Sequence, residues 1–310
     1  MGNTKRSHDI PTVLRFFSIV CIVSEHFDFF DYGGGGAYLL LLLVGFNIAT
    51  FKIDKLLSSD SVKGLLIMFI KVLIPTIGYI LILNIFSGSF NLESVLLVSS
   101  ITNNEHPKGY GFWFIEVYIQ ILVFLYALLS FSSVRQFTRN NIKQSALILL
   151  VTSCLLLLIT KYGFNLTYSY QRLPWLLLFM FSFGFYIKFV SGTFEKIVTA
   201  FAFVLTTFAF NGGVFDTGFF TISFLILLFL PSNFRINKVL MKPVSFVSAG
   251  SLFIYLTHFQ LRTVFETIGI TSPLINTFLA VLFGSIIFHI YNNIFNKKIL
   301  NKIISAIYNN

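Results

Sequence analysis

Two ionisable residues, Arg15 and His26, stand eleven positions apart inside the first long apolar run of the chain. On an α-helix, 100° per residue returns them to within about 20° of one face, separated by roughly 16 Å along the axis. A guanidinium offers a fork of donors to phosphate or carboxylate, and an imidazole exchanges a proton near neutral pH. Groups of this kind are costly within an apolar span, so each is a candidate for function before it is a candidate for packing. The plainer alternative is that Arg15 snorkels to headgroups and His26 caps the span at the far interface. Glu25, Asp28 and Asp31 lie beside His26 and could orient its ring.

A second group falls late in the chain. Ser251, Tyr255 and His258 are spaced four and three residues apart, which stacks them on one helix face. His258 falls at a depth similar to His26. Two histidines at one level could hold a metal, but no third ligand with recognisable spacing accompanies them, and a hydrogen-bonded packing histidine is the competing reading. Trp113, Glu116, Tyr118 and Gln120 open a fourth apolar run. Trp113 and Tyr118 also suit an interfacial aromatic belt. Glu116, one turn into the run, calls for a partner, and Arg172 is one candidate for it. Arg172 reads equally as an ordinary interfacial arginine.

The elements that must position these residues follow from composition. Only 11% of the 310 residues are charged, 56% are hydrophobic, and the mean hydropathy is +0.83. That balance excludes a water-soluble domain and predicts an all-α, polytopic membrane bundle. A hydrocarbon layer about 30 Å thick takes roughly 20 helical residues per crossing. Apolar runs then fall near 11–30, 36–51, 65–86, 112–131, 145–162, 174–190, 197–211, 217–230, 246–264 and 273–295, with the seventh and eighth readable as one broken hairpin. Ten crossings with both termini cytoplasmic put sixteen of the 22 basic residues on the inner side. Four (Lys108, Lys161, Arg172 and Arg262) fall outside, while Arg15 and Lys71 lie in spans.

The net charge of +10 therefore reads as topology rather than as a nucleic-acid surface. Cys21 and Cys154 lie far apart in apolar runs, and neither a disulfide framework nor a thiolate site is predicted. The first run follows Lys5 and Arg6 but contains Arg15, Glu25 and His26 and no small-residue cleavage site, so it is expected to remain as a span. The 87–111 segment is polar enough to serve a hydrophilic ligand or to be a solvated connector. With no repeat or appended soluble segment, residues 1–310 read as one membrane domain.

These residues together resemble the membrane acyltransferase-3 family, multi-span proteins that modify surface glycans. The likeness begins with Arg15 and His26, separated by ten residues. It passes through Gly33-Gly34-Gly35-Gly36 to Val44-Gly45-Phe46-Asn47, then Trp113-Phe114-Ile115-Glu116, and ends in Ser251-Leu252-Phe253-Ile254-Tyr255-Leu256-Thr257-His258. Order and spacing agree over nearly the whole chain. Val44 departs from the serine often found before the Gly-Phe pair, and no carboxy-terminal hydrolase-like domain follows, so acyl delivery would fall to the membrane domain or a separate partner.

The resemblance implies transfer of an acyl group, most often acetyl, from cytoplasmic acyl-CoA to a glycan or lipid-linked sugar hydroxyl beyond a bacterial inner or plasma membrane, with no bound cofactor. His26 would be the general base or acyl relay, and Arg15 would engage the donor. Glu116, Trp113, Arg172, His258, Tyr255 and Ser251 would line the acceptor side. A carrier or flippase for lipid-linked sugar also needs a polar path through many helices. A polytopic glycan polymerase fits less well, because its outer loops are usually larger than the 25 residues of 87–111.

Overall fold

The computed structural model describes residues 9–30, 35–58, 62–102, 111–164, 172–211, 218–230 and 234–295, with Lys302 and Ser305 beyond them. The predicted features at Asp31, Gly33, Gly34 and 103–110 lie outside the described residues. Among the described residues the chain is all-helical, with no strand. Among the described residues, five helices are long and apolar enough to cross a membrane: Lys63–Ser87, Trp113–Ser130, Ile142–Gly163, Thr193–Asn211 and Pro273–Phe295. Lys238–Ala249 and Ser251–Thr267, bent by 66°, make a sixth if the pair is one span. The remaining apolar runs form the Asp9–His26 helix and three shorter helices, Gly36–Phe51, Pro174–Ile187 and Gly218–Phe229.

The chain divides into two compact units: Met1–Leu43 with Val190–Asn296, and Val44–Phe189 with Lys297–Asn310. In the first unit, the Asp9–His26 helix is held at both ends. At its start the Asp9 carboxylate accepts the backbone N–H of Ile236 at 2.8 Å. At its end, Phe29 N–H reaches the Ser24 carbonyl (2.9 Å) and Asp28 N–H reaches that of Glu25 (3.2 Å), the Schellman closure. Asp28 takes the left-handed position with φ 57°. Between these ends Pro11, Leu14, Ser18 and Ile22 form the buried stripe.

The helix that carries His258 is set by close approach to its neighbour. A Cβ on Gly284 would stand 2.6 Å from the Ile254 Cα, so any side chain there would push Ser251–Thr267 away from Pro273–Tyr291. Thr193–Asn211 and Gly218–Phe229 pair through stacked Phe203 and Phe224, whose centroids are 3.7 Å apart.

In the second unit, Pro174–Ile187 is buried on all sides from Leu176 to Ile187, the pattern of a helix surrounded by other helices rather than by solvent or lipid. Gly45 explains part of the Gly-Phe motif. A Cβ on it would meet the Phe181 carbonyl oxygen at 2.0 Å, so only glycine lets the Gly36–Phe51 helix run this close to Pro174–Ile187.

Candidate functional site

His26 and His258, 232 residues apart in sequence, are hydrogen-bonded to each other in the first unit. Nδ1 of His26 lies 2.8 Å from Nε2 of His258, with the rings near-parallel at 15°. Phe259 packs against both rings, its centroid 4.6 Å from His26 and 4.2 Å from His258. His258 is fully buried and His26, the last residue of its helix, is half-buried.

The partners fix the tautomers. His258 Nδ1 stands 2.7 Å from the carbonyl oxygen of Tyr255. A carbonyl only accepts, so that nitrogen carries the hydrogen, and in the neutral ring the lone pair is on Nε2. The hydrogen between the rings must then come from His26 Nδ1. In a neutral His26 ring the remaining lone pair is then on Nε2, the atom a general base uses. The chain of donors runs from His26 through His258 to a backbone oxygen that cannot move without unwinding its helix.

The first helix presents His26 through a clamp that the sequence alone did not reveal. Arg262, one turn beyond His258, donates from Nη1 to the His26 carbonyl oxygen. Its Nη2 pairs with Asp28 at 3.3 Å, and its Nε with Glu266 at 2.9 Å. The i, i+4 spacing of His258 and Arg262 was the available signal, since it places both on one face. Of the acids flanking His26, Asp28 pairs with Arg262, and the imidazole is hydrogen-bonded to a second histidine. Tyr255, expected as a substrate contact, contributes a main-chain oxygen, and its side chain is buried. Ser251 is the first residue of its helix, immediately after the bend at Gly250. Arg15 is half-buried on the same unbroken helix as His26, so eleven residues of 1.5 Å rise separate them by about 16 Å. Among the described residues, no third His, Cys, Asp or Glu joins the histidines in a group of metal-ligand size.

The remaining candidates lie in the second unit. Glu116 is buried to 1% exposure and accepts from the Ser99 hydroxyl at 2.5 Å and the Ser100 backbone N–H at 2.7 Å. Gln120, one turn on, donates to the Leu97 carbonyl at 2.8 Å. Leu97 itself sits at φ 56°, a strained angle for leucine. These bonds dock part of the polar 87–111 segment onto the Trp113–Ser130 helix, which makes residues 92–102 a folded element rather than a loose connector. Arg172 is not the partner of Glu116 among the described residues; its guanidinium lies 5.6 Å over the Trp113 ring.

Glu116→Ala removes both acceptors and leaves the Ser100 N–H buried without one, at about 1.5–3 kcal/mol per charge-assisted bond. The 92–102 segment is expected to open. In detergent, a cysteine at Ser94, buried in the native fold, should react with maleimide at least fivefold faster in Glu116→Ala than in the native background, once Cys21 and Cys154 are serine. Equal rates would mean that Glu116 does not anchor the segment.

No family model, curated protein or solved structure matches this chain.

Proposed function

We propose that this chain is a membrane O-acyltransferase that moves an acyl group, most often acetyl in the family it resembles, from cytoplasmic acyl-CoA to a hydroxyl of an extracytoplasmic glycan. The observation that carries this reading is the tautomer chain from Tyr255 through His258 to His26, which leaves a basic lone pair on His26 Nε2. A histidine whose ring is oriented by a buried acceptor is the arrangement that activates a hydroxyl. In the proposed step, Nε2 takes the glycan hydroxyl proton while that oxygen bonds to the thioester carbonyl carbon. The C–S bond breaks, and the proton passes to the leaving thiolate to give free CoA. Throughout, the Nδ1 hydrogen stays on His26, donated to His258 Nε2, and is not transferred.

The proposed orientation puts donor and acceptor on opposite sides. In this reading the six candidate spans are joined by the Asp9–His26 helix and the three shorter apolar helices, giving ten crossings with both termini inside. Arg15 then lies toward the cytoplasmic side, where its guanidinium engages the anionic donor, and His26 lies toward the outer side. His258 changes role from acceptor contact to positioning residue. Within the second unit, Trp113 with Arg172 over its face is a pairing suited to a sugar, since sugar rings pack on aromatic faces and their hydroxyls bond guanidinium.

The deciding experiment is mass spectrometry of surface polysaccharide from matched strains with and without the gene. The expected result is loss of the mass of one acyl group per modified sugar at unchanged polysaccharide abundance. Unchanged acylation with lost surface glycan would overturn acyl transfer in favour of a sugar carrier.

A further inference from the structure

The second unit contains a cavity of about 300 Å³ whose wall includes Ile53, Leu56, Leu129, Phe137, Thr138 and Ser145. Most of the contributing helices do so from one end of the unit. The wall takes the last turns of Gly36–Phe51, Trp113–Ser130 and Pro174–Ile187, the first turn of Lys63–Ser87, and Ile142–Leu158 from Ser145 to Thr152. That same end carries Lys52, Lys55, Lys63, Arg135, Arg139, Lys143 and Lys188, against one described acid, Asp54. An apolar recess and a concentration of positive charge thus share one level of the unit.

Two short helices join these features. Ile53–Ser58 turns Ile53 and Leu56 into the cavity and leaves Lys52, just before it, and Lys55 exposed. Ser132–Asn140 buries Thr138 in the wall, sets the half-exposed Phe137 along its edge and leaves Arg139 exposed. Arg135 donates to the carbonyl of Leu129, a residue of the wall, at 3.1 Å, which fixes its guanidinium at the rim. Such helices are built to lie in a headgroup layer. The wall also holds an unanswered donor. Among the described residues the buried Ser145 hydroxyl has no hydrogen-bond partner, a state that lowers stability unless a bound molecule supplies an acceptor.

We propose that this cavity is a binding site for one anionic glycerophospholipid. One acyl chain occupies the apolar recess, an ester carbonyl accepts from Ser145, and the phosphate lies among the basic side chains of the two short helices. A hydrocarbon chain alone would account for the recess but for neither the orphan hydroxyl nor the charge. The site is independent of the acyl-transfer reading.

The test uses the purified full chain in detergent, with phosphatidylglycerol and phosphatidylcholine of identical acyl chains followed by native mass spectrometry. Phosphatidylglycerol is expected to bind about tenfold more tightly. A basic side chain near an anionic group is worth about fivefold, so the Lys52→Gln, Arg139→Gln double variant should bring the two lipids within about twofold. Ser145→Ala should weaken both lipids several-fold by removing one hydrogen bond. Ser145→Phe, which fills the recess, should abolish retention of either. Equal binding of the two lipids by the native chain would overturn the proposal. So would undiminished preference in the double variant, whose exposed positions keep the test valid if Ser145→Phe fails to fold. Palmitoyl-CoA that displaces phosphatidylglycerol at equal concentration would also overturn it, reassigning the cavity to a long-chain thioester.

Discussion

His26→Ala is expected to leave the protein inserted at native abundance and to lower acyl transfer by about 10²–10⁴-fold, the contribution a positioned general base makes. The fold should survive because the substitution keeps what the fold uses. Arg262 holds the His26 main-chain oxygen, which alanine retains, and the Schellman closure at Glu25, Asp28 and Phe29 is made of backbone atoms. The loss confined to the fold is the bond from Nδ1 to His258 Nε2, about 1–3 kcal/mol for a buried acceptor left without its donor. Acylation of surface polysaccharide, measured per inserted protein, separates the two effects. Full acylation in this variant would remove His26 from the chemistry, whatever the histidine pair does for stability.

Much of the helical order was legible in the sequence, and the departures have local causes. Apolar runs mark helices because a membrane-type helix satisfies its own backbone and needs only apolar side chains. The Gly36–Phe51 boundaries follow from glycine at one end and charge at the other. The first predicted run extends to residue 30 across Glu25, His26 and Asp28, yet its helix stops at His26, because Asp28 takes the left-handed angle and Arg262 reaches across from 236 residues away. Hydropathy does not register either event. The ninth run likewise conceals a 66° bend between Ala249 and Ser251, since apolarity continues through Gly250 while the backbone direction does not.

The site was legible by residue type and depth but not by contact. Placing His26 and His258 at one level was as far as spacing reaches, because nothing within either segment encodes a partner 232 residues distant. Of the acids near His26 in sequence, Asp28 pairs with Arg262, a partner 234 residues away that adjacency could not announce. Tyr255 illustrates a deeper limit. Its role is played by a carbonyl oxygen, which every residue possesses, so no side-chain pattern could announce it. Glu116 was recognised as needing a partner; that partner came from the nearby polar segment, which reaches it with a serine hydroxyl and a backbone N–H.

The role assigned to His258 gives the sharper expectation, because it concerns a hydrogen rather than a residue. His258→Leu removes the acceptor that keeps the hydrogen of His26 on Nδ1, so the His26 ring is free to place it on Nε2, where it cannot accept from a hydroxyl. Loss of tautomer control over a catalytic imidazole has lowered turnover by about 10⁴-fold in a serine protease, and a fall approaching that size is expected here. His258→Gln can present an amide oxygen near the position of the lost Nε2. It should recover activity to within about tenfold of the native chain. A purely structural role for His258 would not separate these variants by tautomer. The chain has only five histidines, so ¹⁵N-histidine solid-state NMR can follow His26 directly, with His26→Ala identifying its signals. The native protein should show His26 protonated at Nδ1 and bare at Nε2, the glutamine variant the same, and the leucine variant a mixture. A native His26 protonated at Nε2 would break the donor chain at its first link, and Nε2 could then no longer be the base.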